Sequence, residues 1–408
     1  MAVGNENLSE LVHNYEPIND VHVATGKRMV AAKGAWMYDE NGDRYLDMLA
    51  GYSALNFGHK NPRIIEAIKN QLDTGLTLGP RSVRTTEGDL FAQELGALTG
   101  YEMVLPMNGG AEAVESAIKT ARKWGQEVKG VSNEVANIIV MDNNFHGRTT
   151  TIVSFSDDES ARNGFGPFTP GFRRVPFDNI EAVENAIDEN TVAVLFEPIQ
   201  GEAGIRIPQP GYLRAMREVC TREDVLMIAD EIQSGFGRTG KNFACDHEDV
   251  KPDIMIVGKA LGGGMIPSSA IVANRDVLGV FHPGEHGSTY GGNPVASAVG
   301  RAAIALLQSG HYENNVRMRG NQLMSGMEQL IGHGVTEVRG KGLWVGVDID
   351  PDLMTGHDVA VKLFARNVIA KEAHEQTLRL SPTFGIMPHE IDYAVNQVRD
   401  ILYITGNR

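Results

Sequence analysis

Short apolar runs recur through the middle of the chain, each followed by ionisable or glycine residues. They are NIIVM at 137–141, VAVLF at 192–196, VLMIA at 225–229, IMIV at 254–257 and AIVA at 270–273. They are too short for helices and lack polar alternation, so they read as strands buried on both faces. The stretches between them carry helical spacing. In 112–124 (EAVESAIKTARKW), Val114, Ala117, Ile118, Ala121 and Trp124 fall on one face. A second helix is expected over 210–220. Strand alternating with helix predicts an α/β fold built on a mostly parallel sheet.

The two ends read differently. GAWMYDENGDRYLDML at 34–49 has the pattern of a hairpin turning at Asn41-Gly42. After about residue 300 come long helical patterns, then GLWVGVDID at 342–350 and a terminal helix. This division predicts a large central domain over 56–300 and a smaller one built from 1–55 and 301–408.

Composition narrows the function. With 408 residues, 42% hydrophobic and 22% charged, the chain can bury large cores. A formal net charge of −15 repels phosphate backbones and anionic headgroups, which argues against nucleic acid as a partner. No apolar stretch approaches the ~18 residues of a membrane span. The first residues, MAVGNENLSELVHNYEP, have neither an apolar signal core nor an arginine-rich presequence, so a cytoplasmic location is expected. Cys220 and Cys245 form no CxxC pair and are expected as reduced thiols.

Ligands in open α/β sheets bind at the carboxyl ends of the strands. VLMIA is followed there by Asp230 and Glu231, IMIV by Gly258 and Lys259, and VAVLF by Glu197. NIIVM is followed by Asp142, then by Phe145, His146 and Arg148. Lys259 is the sharpest candidate. A lysine partly stripped of water becomes less basic, and its neutral amine can form an imine with an aldehyde. Asp230 could pair with a protonated pyridine nitrogen, the combination expected for pyridoxal 5′-phosphate (PLP). Gln233 lies in the same loop. MNGGAEA at 107–113 runs into the 112–124 helix, and Gly109 and Gly110 allow backbone amides to turn toward a phosphate at the helix start.

Three other patterns carry less. GFGRTG at 235–240 matches a dinucleotide fingerprint in letters, but no convincing helix follows it. Gly258-Lys259 lacks the Ser or Thr of a nucleotide-binding loop. His282 and His286 have metal-ligand spacing, but the intervening Pro283 and Gly284 oppose the helix that would bring them together.

Taken in order, MNGGAEA, DNNFHGRT, EPIQGEAG, ADEIQSGFGRTG, VGKALGGG and HGSTYGGNP resemble the class III (fold type I) aminotransferases, nearly end to end. Within that class, GYSAL around Tyr52 and the HNYEP segment are most similar to the ornithine aminotransferases. The resemblance implies a PLP-dependent transferase whose large domain holds a mostly parallel seven-stranded sheet flanked by helices, with a smaller α+β domain from both termini. It implies Lys259 as the residue that carries PLP, Asp230 at the pyridine nitrogen, Gln233 near the ring hydroxyl and Phe145 stacked on the ring. Gly110 and Ala111 would hold the phosphate, with Thr289 and Ser288 from a second subunit of a homodimer with shared sites. Tyr15, Tyr52 and Arg148 would bind the far end of the substrate, and Glu202 would pair with Arg379. The implied substrates are L-ornithine and 2-oxoglutarate. Two alternatives stay open: an aminotransferase for acetylornithine, 2,4-diaminobutyrate or 4-aminobutyrate, and a PLP-binding protein without turnover. The chain departs from the family pattern at Gly109, where Ser or Thr is usual, at Ile18-Asn19-Asp20, and at Ser381-Pro382-Thr383.

Overall fold

A computed structural model describes residues 27–80 and 82–406. Its strands are β1 (Met29–Lys33), β2 (Trp36–Asp39), β3 (Arg44–Asp47), β4 (Met103–Met107), β5 (Asn137–Met141), β6 (Phe172–Val175), β7 (Thr191–Phe196), β8 (Leu226–Asp230), β9 (Ile254–Val257) and β10 (Ser269–Ala273), then β11 (Val335–Gly340), β12 (Val345–Ile349), β13 (Val368–Ile369), β14 (Lys371–Ala373) and β15 (Thr377–Leu380). Seven of them form one sheet in the order β4-β10-β9-β8-β7-β5-β6. From β9 to β6 all neighbours are parallel, and β10 runs antiparallel to both β9 and β4.

The five apolar runs are the five interior strands of this sheet, and every residue in them is buried. Burial on both faces explains the missing alternation. Ile138, Val140, Leu195, Ile228 and Ile256 face the helix Gly110–Trp124, whereas Ile139, Val194, Phe196 and Met227 face the helix Tyr212–Arg222. The first helix buries Val114, Ala117, Ile118, Ala121 and Trp124, as its spacing predicts, and begins two residues earlier than the pattern. Truncating Ile118, 2% exposed, would cost about 2–5 kcal/mol through lost burial and the cavity left behind.

The edge strands β4 and β6 left no comparable signal. MVLPM is mostly half-buried and contains Pro106, which an edge position tolerates, and FRRV turns Arg173 and Arg174 to solvent.

At the amino-terminal end, β2 and β3 form the expected hairpin, and Gly42 takes a φ of +86° in its turn. β1 extends it, and β13, from far along the chain, pairs in parallel with β3. The remaining strands form an antiparallel sheet in the order β11-β12-β15-β14. No helix among the described residues is long and apolar enough to cross a membrane.

Candidate active site

The carboxyl ends of β5, β7, β8 and β9 open on one cavity of about 210 Å³, with Lys259 in its lining. Lys259 follows β9 after the single residue Gly258 and has a φ of +45°, a left-handed conformation that costs a side-chain-bearing residue of order 1 kcal/mol or more. The strain is held by a 3₁₀ turn, Lys259–Gly262, in which the next three residues are buried. Burial pulls the amine down to about 8, with the charges of Glu202, Asp230 and Glu197 opposing.

Asp230 ends β8 and is buried. Its Oδ1 accepts from the amide of Ile232 at 3.0 Å, and its Oδ2 lies 2.7 Å from Nδ1 of His146. Burial alone would lower the basicity of His146, but the hydrogen bond and charge of Asp230, with the charge of Glu197, raise it. The Nε2 of His146 is buried with no hydrogen-bond partner among the described residues. Glu197, just past β7, accepts from the amide of Phe145 at 3.0 Å and more weakly from that of Gly201 at 3.4 Å. Burial pushes its carboxyl up to about 7, against the opposing charge of His146.

Gly110 and Ala111 line the same cavity at the start of their helix, where the Gly109 cap supplies no side-chain hydrogen bond. The first amides of that helix therefore remain available to an anion. Packing at Gly110 is tight, since a Cβ there would sit 3.0 Å from Cδ1 of Ile232, which would have to shift. Gly109 has no such constraint, because nothing lies within 4 Å of a Cβ at that position.

A larger cavity of about 750 Å³ contains Phe145, Arg148, Glu202 and Arg379 in its lining. The Arg148 guanidinium lies 5.6 Å from the centre of the Phe145 ring. Arg379, in β15, is buried and pairs with Glu202 at 2.5 Å, and its guanidinium carbon sits 5.2 Å from the centre of the Tyr52 ring. The turn bearing Glu202 rests on the carboxyl-terminal sheet. A Cβ on Gly201 would come within 2.8 Å of Trp344 and 2.5 Å of the Gln233 amide oxygen, and the Gly204 carbonyl accepts from Arg339 at 2.8 Å. Ser381, one of the departures, donates its hydroxyl to the Leu49 carbonyl at 2.9 Å.

Ser288 and Thr289 do not line the cavity of Lys259 in their own chain. Ser288 accepts from the Asn108 side chain at 2.8 Å, and Thr289 is exposed on an open groove beside Leu78, Gly79 and Pro80. Tyr15 and Ile18-Asn19-Asp20 lie outside the described residues. His146 and Glu197 stood out in the sequence only as groups at strand ends. Their join to Asp230 and Phe145 depends on the neighbouring strands.

These donors suit a phosphorylated aromatic aldehyde: free amides for the phosphate, an aromatic face in Phe145, a buried acid and a weakened lysine amine. The class III aminotransferase family profile matches residues 20–402, and the chain belongs to this family of PLP-dependent enzymes. It is 46% identical to an ornithine aminotransferase of Brevibacillus brevis, over 96% of each chain. Among solved structures, the ornithine aminotransferase of Toxoplasma gondii aligns with a TM-score of 0.93 at 37% identity, covering 98% of this chain and 95% of the other. The acetylornithine aminotransferase of Elizabethkingia anophelis aligns with a TM-score of 0.83 at 39% identity, covering 96% of each.

Proposed function

We infer that the protein moves the δ-amino group of L-ornithine to 2-oxoglutarate, giving glutamate and glutamate 5-semialdehyde, which cyclises to pyrroline-5-carboxylate. The observation that carries this reading is the Glu202–Arg379 ion pair beside Tyr52. Ornithine brings a δ-amine to the reacting position with no carboxylate next to it, so a bare arginine there would attract the wrong end. Glu202 masks Arg379 in that half. 2-Oxoglutarate has a carboxylate beside its reacting carbon, and Arg379, released from Glu202, grips it as a planar fork. Relatives that bear the ornithine aminotransferase name, similar over nearly the whole chain, support the same choice.

The remaining residues divide the work. When bound, PLP supplies an electron-poor ring that stabilises negative charge on the substrate carbon bearing the transferred nitrogen. Asp230, braced by His146, would keep positive charge on the ring nitrogen, and Gly110 and Ala111 would hold the phosphate. Gln233 would meet the ring hydroxyl and Phe145 would flank the ring. The Lys259 amine would carry the cofactor and, when free of it, would hold and move the proton of the substrate carbon. Arg148, Tyr52 and Tyr15 hold the distal carboxylate. Residues 56–300 form the large domain of this reading, with 1–55 and 301–408 as the smaller one.

A homodimer completes the site. Thr289 and Ser288 of the partner subunit would reach the phosphate. Leu76, Leu78, Val83 and Tyr290, exposed at 51%, 37%, 56% and 59%, offer apolar surface for the contact. A dimer in sedimentation is the expected result, and a stable active monomer would contradict it.

The test of the substrate is spectroscopic. L-Ornithine added without a keto acid bleaches the cofactor's visible absorption and yields trapped pyrroline-5-carboxylate, and 2-oxoglutarate restores the band. Bleaching by acetylornithine or 4-aminobutyrate, with none by ornithine, would assign the enzyme to another ω-amine.

A further inference from the structure

We propose that Arg238, the arginine of the GFGRTG segment, is a positioning residue that sets Arg379 relative to Asp230 and Lys259, and so tunes the grip on the carboxylate beside the reacting carbon of the keto acid. The proposal rests on the substrate reading above and assigns a purpose to a motif that matches a dinucleotide fingerprint only in letters.

Arg238 is fully buried, yet among the described residues it pairs with no carboxylate. Its Nη1 donates to the Leu343 and Pro382 carbonyls, each at 2.8 Å, its Nη2 donates to the Asn56 side chain, and its guanidinium carbon lies 4.9 Å from the centre of the Phe384 ring. Burial pulls the guanidinium down to about 9, with the charge of Asp47 opposing. Hydrogen bonds offset the cost of burying this cation: both terminal nitrogens of Arg238 make theirs, to three separate segments of the chain, while its Nε is buried with no partner among the described residues.

Two of those segments frame Arg379. Leu343 leads into β12 and Pro382 follows β15, and in the register of these strands Gly346 lies opposite Arg379. One guanidinium thus ties together the start of one strand and the end of the other. At its own end, Arg238 belongs to the loop that continues from Asp230. Glu231 stiffens that loop by accepting from Ser234 and from the Cys245 amide at 2.8 Å. The backbone adds to the join: the Leu343 amide donates to the Arg238 carbonyl at 3.1 Å, and Asn56 donates to the Phe236 carbonyl at 3.1 Å. Gly342, with a φ of +61°, permits the approach, since a Cβ there would come 2.6 Å from the Arg238 carbonyl oxygen. The separation between the acid at the end of β8 and the arginine in β15 is therefore spanned by Arg238. A lysine has a single charged centre and cannot hold carbonyls on both sides in one plane.

The test compares wild type with Arg238→Lys. Glutarate, which binds without reacting, is titrated calorimetrically into the PLP-loaded enzyme. Single turnovers are then run with 2-oxoglutarate on enzyme loaded with pyridoxamine 5′-phosphate, and with L-ornithine on the PLP form. The expected result is that the glutarate Kd and the 2-oxoglutarate concentration for half-maximal rate rise about tenfold, while those for ornithine change by less than about twofold. A proportional loss in both halves, or an unchanged glutarate Kd, overturns the proposal. If Arg238→Lys shows no cooperative thermal unfolding, Asn56→Ala decides: it keeps the arginine, removes one acceptor, and should weaken glutarate about threefold, and no change overturns the proposal. Failure of ornithine to react with wild type would sink the substrate reading alone, because the glutarate and 2-oxoglutarate measurements do not require it.

Discussion

Nδ1 of His146 lies 2.7 Å from the carboxylate of Asp230, across the end of the intervening β7, which Glu197 follows. Two acids and an imidazole thus share one buried corner of the cavity.

The apoprotein should lose stability from mildly acidic to mildly alkaline pH. Glu197 is raised from 4.5 to about 7, so the folded state binds more protons than the unfolded one across that range, and its penalty is complete above about 7. His146 is raised above 6.5, so its stabilising contribution is full below 6.5 and is lost as pH rises through its folded value. Both act in one direction. Glu197→Gln should remove the first part, on the order of 2–3 kcal/mol, when urea unfolding is compared at about pH 5 and about pH 8. An unchanged pH slope in the variant would contradict the buried-acid account.

Capture of PLP by the apoenzyme should accelerate with pH around a midpoint near 8, the value to which burial brings the Lys259 amine. Stopped-flow absorbance would record it, and a midpoint near 10.5, the ordinary lysine value, would show an amine still in full contact with water. Lys259→Arg keeps the charge but has no neutral amine to offer, and turnover should fall more than about a thousandfold.

Gly109→Ser should tighten cofactor binding. The site has room for a side chain, and a hydroxyl at the helix cap adds a donor for the phosphate. One added hydrogen bond of about 1 kcal/mol slows PLP release about fivefold, measurable by dialysis against a chelating apoprotein or by loss of absorbance. Equal or faster release would mean that the phosphate does not approach this residue.

Glu202→Ala should leave Arg379 unmasked. Preference for the δ-amine of ornithine over its α-amine should fall at least about tenfold, read as the ratio of pyrroline-5-carboxylate to the α-keto product. A preserved ratio would remove the masking role.

The interior of the sheet was legible because burial on both faces leaves continuous apolar runs, and β5, β7, β8, β9 and β10 all came from that signal. β4 and β6 were not legible, because at the sheet edges Pro106 and the paired arginines of FRRV are tolerated. Among the site residues, Lys259 and Asp230 could be picked out by their position after strands. The same logic reached Glu197 and His146 but assigned them no task, since which strand ends adjoin is a matter of sheet order. Arg238 was set aside with its glycine motif, because its partners at 56, 343 and 382 are remote in the chain.

Local periodicity and punctuation were enough to determine the α/β class, the strand ends that carry chemistry and the helix start suited to a phosphate. These follow from burial and hydrogen bonding between near neighbours. The sequence offered the Glu202–Arg379 pair and the placing of Thr289 only through family resemblance; the tertiary structure supplied the geometry, in which Glu202 meets Arg379, 177 residues away, and Thr289 lies outside the cavity of the lysine of its own chain. Such pairings depend on how sheets and loops close upon one another, and contacts between distant segments leave no period in the sequence.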